Sequence, residues 1–190
     1  MPPGRHVTES PTLTVSTVGH GTLPEAGLLQ LLQEAELGHV VDVRSYPGSR
    51  RNPQYGRDQL ERWLPAAGFG YSWDGRLGGR RLADPASPNT ALRHEAFRGY
   101  ADHMGTDDFA SGLDDLVEVA ATAPVAVMCS ESLWWRCHRR LLADALVLLR
   151  SVEVVHLFHD GRRAAHPPTP EARVVDGQLI YDLGVTPPLG

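Results

Sequence analysis

The stretch Thr12-Leu-Thr-Val-Ser-Thr-Val18 is β-branched at nearly every position and predicts a strand. The segment from Pro24 to Ala35 has the apolar spacing of a helix with Pro in its first turn, and Gly38 is placed to end that helix. His39-Val-Val-Asp-Val43 is a short apolar run suited to a second, buried parallel strand. Strand, helix and strand within about 30 residues predict a βαβ unit.

The remainder of the chain continues this alternation. The predicted elements are a helix at 58–67, a strand at 69–73, helices at 97–104 and 109–121, a strand at 124–129, a helix at 137–150, and a strand at 152–158 that closes the sheet. Asp107 and Asp108 are placed to cap the second of the two middle helices, and residues 161–190 are expected to form a Pro-rich tail in which Asp176-Gly177 suits a hairpin turn. The pattern predicts one three-layer, Rossmann-like α/β domain with a mostly parallel sheet over residues 12–183, between a flexible tail at 1–11 and a C-terminal tail at 184–190.

Composition and charge exclude several classes of protein. The 190 residues carry a formal net charge of −5, which excludes a uniformly basic, histone-like binder of nucleic acid. Two cysteines are too few for a disulfide framework and fit a reducing compartment. The N-terminus lacks the apolar core of a signal peptide, and no apolar stretch approaches the roughly 18 residues of a membrane span. The sequence therefore predicts a cytoplasmic protein with no membrane partner, and it leaves the oligomeric state open.

The segment between Arg44 and Arg81 is basic although the whole chain is acidic, since it holds eight Arg against three acidic residues. A guanidinium group presents a planar fork of donors that matches phosphate oxygens two at a time. Aromatic residues lie among these Arg and could stack on bases or sugars: Tyr46, Tyr55, Trp63, Tyr71 and Trp73. The alternative is a solvated, Arg-rich surface whose aromatic side chains turn into the core.

Polar residues follow the predicted strands at the edge where α/β folds bind ligands, beyond the carboxyl ends of parallel strands. His20 follows the first strand, and Arg44 comes two residues after Asp42 of the second. A carboxylate such as Asp42 within an apolar strand is costly unless it is paired. Asp42 is therefore either a structural partner of an Arg such as Arg44 or a functional acid or base.

The segment from Cys129 to Arg140 has the densest concentration of reactive groups. Cys137 and His138 are placed near the start of a helix, where free backbone N–H groups favour anions and lower the pKa of a thiol. Glu131 could act as a general base or orient His138 or an Arg, and Cys129 could equally be a small buried hydrophobe. A phosphatase-type or rhodanese-like loop needs Cys, five residues and then Arg, but Arg136 comes one residue too late. The Cys and His spacing matches no standard structural zinc site, so no metal is predicted.

Several motifs together resemble one family. They are Thr17-Val-Gly-His-Gly21, Val41-Asp-Val-Arg-Ser-Tyr-Pro-Gly-Ser-Arg50, Leu77-Gly-Gly-Arg-Arg81, Phe97-Arg-Gly-Tyr-Ala101, Met128-Cys-Ser-Glu131, Trp135-Arg-Cys-His-Arg-Arg140 and His166-Pro-Pro-Thr169. Their order and spacing resemble the bacterial and archaeal family called domain of unknown function 488, from about residue 13 to 182. The usual family pattern differs at Gly21 and Ser130 by small-for-small changes. The resemblance implies a compact α/β fold and no reaction, and it marks eight motif positions: Asp42, Arg44, Arg80, Cys129, Glu131, Cys137, His138 and Arg139.

The sequence predicts a pocket at the carboxyl edge of the sheet that binds a phosphate-bearing ligand, either a nucleotide or a stretch of nucleic acid. The predicted ligand-binding residues are His20, Arg44, Ser49, Arg50, Arg80 and Arg139, and the predicted catalytic residues are Asp42, Glu131 and His138, with the thiols of Cys129 and Cys137 ranked second. Hydrolysis or group transfer is a guess from these residue types, and no cofactor is expected. The alternatives are a thiol-dependent enzyme and a non-enzymatic module that binds nucleic acid, so enzyme activity itself stays open.

Overall fold

A six-stranded, mostly parallel sheet forms the centre of the fold. The computed structural model describes residues 12–48 and 51–183. The strands lie in the order β3-β2-β4-β1-β5-β6, of which only β6 runs antiparallel to its neighbour within this described part. Their bounds are β1 Thr14–Gly19, β2 His39–Asp42, β3 Gly70–Trp73, β4 Val125–Cys129, β5 Glu153–Leu157 and β6 Arg163–Ala165.

Helices cover both faces of the sheet and complete three layers. They are α1 Glu25–Glu34, α2 Arg57–Ala66, α3 Glu95–Met104, α4 Asp107–Thr122 and α5 Arg139–Arg150. Leucines of α1 and α2 pack with Val40 on one face, whereas α3, α4 and α5 pack with Val41 on the other. Successive strand residues point to opposite faces, so an apolar run in β2 can supply both cores. The predicted Rossmann-like α/β fold is confirmed.

The strand order brings three chain segments together at the carboxyl edge. Because β4 lies between β1 and β2, the register pairs Gly19 with Cys129 and Asp42 with Met128. The pairing continues past the strand ends, since the backbone N–H of His20 donates to the Cys129 carbonyl at 2.9 Å. The residues that follow β1, β2 and β4 therefore start from adjacent positions.

The segment after β5 is built into the domain, which corrects the expectation of a Pro-rich tail. Strand β6 pairs with β5, so β5 does not close the sheet. Strands β7 (Ala172–Val175) and β8 (Gln178–Tyr181) form the hairpin expected at Asp176-Gly177, where both residues have positive φ, 49° and 79°. Positive φ at both turn residues is the geometry that Asp-Gly favours in a hairpin. Leu179 and Tyr181 are buried, 4% and 0% exposed, so the hairpin packs on the core.

The cap of α4 is a second correction. Thr106 is the N-cap, because its hydroxyl accepts a hydrogen bond from the Phe109 N–H at 3.3 Å, whereas Asp107 and Asp108 fall in the first turn. The two carboxylates still interact favourably with the positive end of the helix dipole. No helix in the described ranges is long and apolar enough to cross a membrane.

Candidate functional site

A cleft of about 960 Å³ opens at the carboxyl edge of β1, β2 and β4. Its lining includes seven residues that the sequence singles out: His20, Arg44, Arg80, Cys129, Glu131, Cys137 and His138. Asp42 and Arg139 lie behind this surface and are 0% and 1% exposed. Ser49 and Arg50 lie outside the described residues. The structure thus brings together most of the predicted site, with two of its charged members beneath the cleft instead of in it.

Asp42 and Arg44 form a buried ion pair. The carboxylate accepts hydrogen bonds from the Arg44 backbone N–H at 3.1 Å and from its guanidinium Nε and NH2 at 2.8 and 2.6 Å. Tyr71 donates a further hydrogen bond from its hydroxyl at 3.0 Å. Arg44 also donates to the Tyr55 carbonyl at 2.8 Å, so the guanidinium is tied down on several sides. Every oxygen of Asp42 is thereby occupied by a donor, which suits a structural partner of Arg44 and leaves no carboxylate lone pair facing the cleft.

His20 is held neutral beside this pair. Its Nδ1 donates to the Gly21 carbonyl at 2.9 Å, so its Nε2 accepts from Arg44 NH1 at 3.3 Å. The ring stacks on Tyr55 with centroids 4.0 Å apart. Burial, and then the nearby Arg44 charge, lower the pKa of His20 to about 4 against the opposing effect of the Gly21 carbonyl. His20 therefore supplies a neutral ring to the cleft wall.

Two thiols and one imidazole meet at the cleft floor. Although Cys129 ends β4 and Cys137 precedes α5, the two sulfur atoms and His138 Nδ1 lie within 4.8 Å of one another. His138 Nδ1 is 3.6 Å from Cys137 Sγ and 3.9 Å from Cys129 Sγ. The other ring nitrogen, Nε2, lies 3.1 Å from the Val43 carbonyl and must carry the proton, because a carbonyl can only accept. The lone pair of Nδ1 is therefore directed at the sulfurs.

Arg139 supports this cluster from below. Its Nε donates to Cys137 Sγ at 3.5 Å, its NH1 donates to Thr17 Oγ1 at 3.4 Å, and its NH2 donates to the Glu131 carbonyl. The guanidinium therefore connects β1, the loop after β4 and the start of α5. These contacts turn it away from the cleft surface, where the sequence analysis expected it to hold an anion.

The surroundings of Cys137 favour its thiolate. The hydrogen bond from the Cys129 thiol, and then the positive charge of Arg139, lower the pKa of Cys137 to about 6 although burial opposes this. The same hydrogen bond and burial raise the pKa of Cys129 to about 12. Direct contact with Arg139 places the negative charge on Cys137. Both side chains are nearly buried, 6% exposed for Cys129 and 4% for Cys137.

Two glycines let the backbone approach the cluster. A Cβ on Gly79 would overlap the His138 ring, and a Cβ on Gly19 would overlap the Glu131 carbonyl oxygen. Both glycines lie in the quoted motifs, and neither has a positive φ. Glycine is needed at these positions because the backbone lies too close to its neighbours to leave room for a Cβ.

The rim of the cleft carries exposed cations and aromatic rings. Arg51, Arg80 and Arg136 line it, are exposed, and have no carboxylate partner in the part of the chain that the structure describes. Tyr46 and Trp135 also line it and are 75% and 43% exposed. The rim therefore has hydrogen-bond donors with positive charge next to flat apolar surfaces.

A row of buried, hydrogen-bonded polar side chains beneath the site includes residues that sequence reasoning missed, among them Asp144. Thr17 Oγ1 lies 2.7 Å from His156 Nδ1, His156 Nε2 lies 3.0 Å from His166 Nδ1, and His166 Nε2 lies 2.9 Å from Asp144 Oδ1. Tyr181 also donates to Asp144 at 3.0 Å. Asp144 lies in the Leu- and Ala-rich helix α5, and an acidic residue there was itself the available signal.

Comparison with known proteins gives one family. The family described as "Domain of unknown function DUF488" matches residues 26–146. A search of curated proteins and a search of solved structures each found no match. The matched region contains β2, β3, β4 and the residues of the thiol and imidazole cluster, and it covers more than half of the chain. The chain therefore belongs to the family of domain of unknown function DUF488.

Proposed function

We propose that the cleft binds a phosphate-bearing ligand with an aromatic part, such as a nucleotide. The observation that carries this proposal is the set of three exposed guanidinium groups on the rim, those of Arg51, Arg80 and Arg136, which lack carboxylate partners among the described residues. Outside the cleft some exposed Arg are paired with acids, as Arg57 is with Glu61, whereas Arg62 donates to a backbone carbonyl.

Charge in the cleft supports an anionic ligand. Glu131 is the single carboxylate among the described lining residues, and one of its oxygens already accepts the Leu133 N–H at 3.1 Å. Guanidinium groups bind phosphate through charge-assisted, often paired hydrogen bonds. Three unpaired guanidinium groups around one cleft are expected to attract anions there, although the whole chain has a net charge of −5.

The aromatic rim supports a ligand that contains a base. Tyr46 is 75% exposed, and the Arg80 guanidinium lies 5.9 Å from the centroid of its ring. Trp135 lies on the same cleft. Stacking on such rings contributes about 1–3 kcal/mol per base in proteins that bind single-stranded nucleic acid. Hydrolysis or transfer on this ligand stays a prediction from the sequence.

Calorimetric titration tests the proposal. The probes are inorganic phosphate, a nucleoside monophosphate and a short single-stranded oligonucleotide, each at low and at physiological salt. We expect the mononucleotide to bind more tightly than phosphate, and each of the variants Arg80→Gln and Arg136→Gln to weaken it about 10-fold. The control is Arg62→Gln, which removes the same charge from an exposed position on α2 outside the cleft.

Each outcome of the titration has a defined meaning. Equal weakening by Arg62→Gln would show that general charge, and not the cleft, attracts the ligand, and this would contradict the proposal. Absence of binding by all three probes at low salt would also contradict it. If only the oligonucleotide binds, with a steep dependence on salt, the chain is the nucleic-acid-binding module of the sequence analysis instead of a nucleotide site.

A further inference from the structure

Among the described residues, Cys129, Cys137 and His138 form a group of ligand atoms that could hold one metal ion. Two thiols and an imidazole are the ligand types that zinc prefers. Spacing along the sequence had argued against a metal, because Cys129 is eight residues from Cys137. In the folded chain these residues are nevertheless close in space, because the loop after β4 turns back and places the start of α5 beside the end of β4.

The distances from His138 Nδ1 to the two sulfurs are close to those of tetrahedral zinc. With Zn–S near 2.3 Å and Zn–N near 2.0–2.1 Å, a tetrahedral centre separates sulfur from nitrogen by about 3.6 Å. The observed separations from His138 Nδ1 are 3.6 Å to Cys137 Sγ and 3.9 Å to Cys129 Sγ. The two sulfurs lie within 4.8 Å of each other, against about 3.8 Å in a tetrahedral site, so the three atoms could bind one ion after shifts of up to about 1 Å.

The surroundings of these atoms are those of oriented ligands. The Val43 carbonyl accepts the proton of His138 Nε2, which leaves Nδ1 unprotonated and aimed at the sulfurs. Arg139 donates to Cys137 Sγ and so supports a thiolate there. Partners of this kind fix the tautomer and orientation of metal ligands and tune the charge of the site.

We propose that Cys129 Sγ, Cys137 Sγ and His138 Nδ1 bind a zinc ion whose fourth position faces the cleft. All three side chains line the cleft, so a water molecule or a ligand can reach that position. Three protein ligands with one open position are typical of catalytic zinc, whereas structural zinc has four protein ligands. A zinc-bound water ionises near neutral pH and would supply a hydroxide nucleophile to a substrate in the cleft.

Near-complete burial of both sulfurs favours metal ligation over direct nucleophilic attack. Reactive cysteines are usually partly exposed, whereas these are 6% and 4% exposed. The zinc assignment therefore competes with the thiol-dependent enzyme that the sequence analysis kept as an alternative. It does not rest on the ligand class proposed above, and its test uses no nucleotide.

The test measures the metal itself. The full chain is expressed with zinc, desalted, and assayed by elemental mass spectrometry, and zinc affinity is then obtained by competition with a chelator. We expect about one zinc per chain, and a loss of affinity of at least about 100-fold in Cys129→Ser, Cys137→Ser and His138→Gln, more than is lost when only a residue that orients a ligand is changed. The matched control is His39→Gln, because His39 starts β2 at the opposite edge of the sheet and should leave zinc binding unchanged.

Cobalt substitution tests the ligand set in the wild-type chain, so its result does not depend on whether the variants fold. The wild-type chain loaded with Co²⁺ should show a sulfur-to-cobalt charge-transfer band and the visible bands of a tetrahedral site, whether or not the serine variants fold. No bound metal in the wild-type chain would overturn the assignment. So would zinc retained unchanged by all three ligand variants, or a Cys129–Cys137 disulfide, detected as the loss of two hydrogens by mass, in the chain isolated with excess zinc.

Discussion

Asp42→Asn is the substitution that best tests the role of the buried carboxylate. Asp42 is 0% exposed and accepts four hydrogen bonds, three from Arg44 and one from Tyr71. Asn keeps the shape but replaces one acceptor oxygen with a donor NH2 group and removes the charge. The guanidinium of Arg44, 6% exposed, would then be left without its counter-charge. Removing one partner of a buried ion pair costs about 3–5 kcal/mol, about a hundredfold to several-thousandfold in the folding equilibrium.

The chain contains a control for this change. Asp160-Gly-Arg162 repeats the same Asp-x-Arg geometry, with the Arg162 N–H and Nε donating to Asp160 at 3.1 and 2.7 Å. Its two side chains are 56% and 71% exposed, so solvent screens the pair and Asp160→Asn should cause no measurable change. The two substitutions differ mainly in burial.

Urea unfolding followed by circular dichroism and tryptophan fluorescence gives the free energies of unfolding. The double variant Asp42→Asn/Arg44→Met should recover part of the loss, because it removes the uncompensated charge. A loss below about 1 kcal/mol for Asp42→Asn, or one no larger than that of Asp160→Asn, would refute the argument that this pair is structural.

Three further expectations concern pH and close packing. Burial is the largest cause that lowers the pKa of His20 to about 4 and of His156 to about 3, from the ordinary 6.5. The unfolded chain therefore binds more protons than the folded chain below about pH 6.5. The free energy of unfolding should fall there by up to ~1.4 kcal/mol per pH unit for each histidine. Urea unfolding at pH 7.5 and at pH 5 checks this, and equal urea midpoints would contradict it. Gly79→Ala should displace the His138 ring and reduce zinc affinity with little loss of melting temperature; unchanged affinity would count against the ligand geometry. Gly19→Ala should lower the melting temperature strongly, because the added Cβ overlaps a backbone carbonyl that cannot move as a side chain does; a melting temperature equal to wild type would contradict this contact.

The sequence predicts the fold well wherever periodicity decides it. The β1-α1-β2 unit, and the strand that ends at Cys129, follow from β-branched or apolar runs and from helical spacing. The strand Arg163–Ala165 was not predicted, because it has three residues and is defined by its pairing with β5. The hairpin turn at Asp176-Gly177 was predicted, but the burial of Tyr181 against the core was not, because packing and not local pattern decides it.

For the candidate site, the sequence could predict which residues lie near one another but not the contacts that each one makes. The rule that strand ends share one edge places His20, Arg44 and Cys129 around one cleft. The sequence cannot show that Arg139 donates its hydrogen bonds to Cys137 and to backbone carbonyls, because tertiary packing determines those partners. For the same reason, spacing alone hid how closely Cys129 approaches the start of α5.

The buried row of hydrogen bonds that connects Arg139 with Asp144 through Thr17, His156 and His166 has one donor-to-acceptor direction. With both imidazoles neutral, Asp144 accepts from His166, His166 accepts from His156, and His156 accepts from Thr17, while the Thr17 hydroxyl accepts from Arg139. Reversing any one proton would set two donors or two acceptors face to face, so the whole row polarises as a unit. An unbroken series of hydrogen bonds thus connects the hairpin, through Tyr181 and Asp144, to Arg139 and the sulfur of Cys137 on the cleft floor.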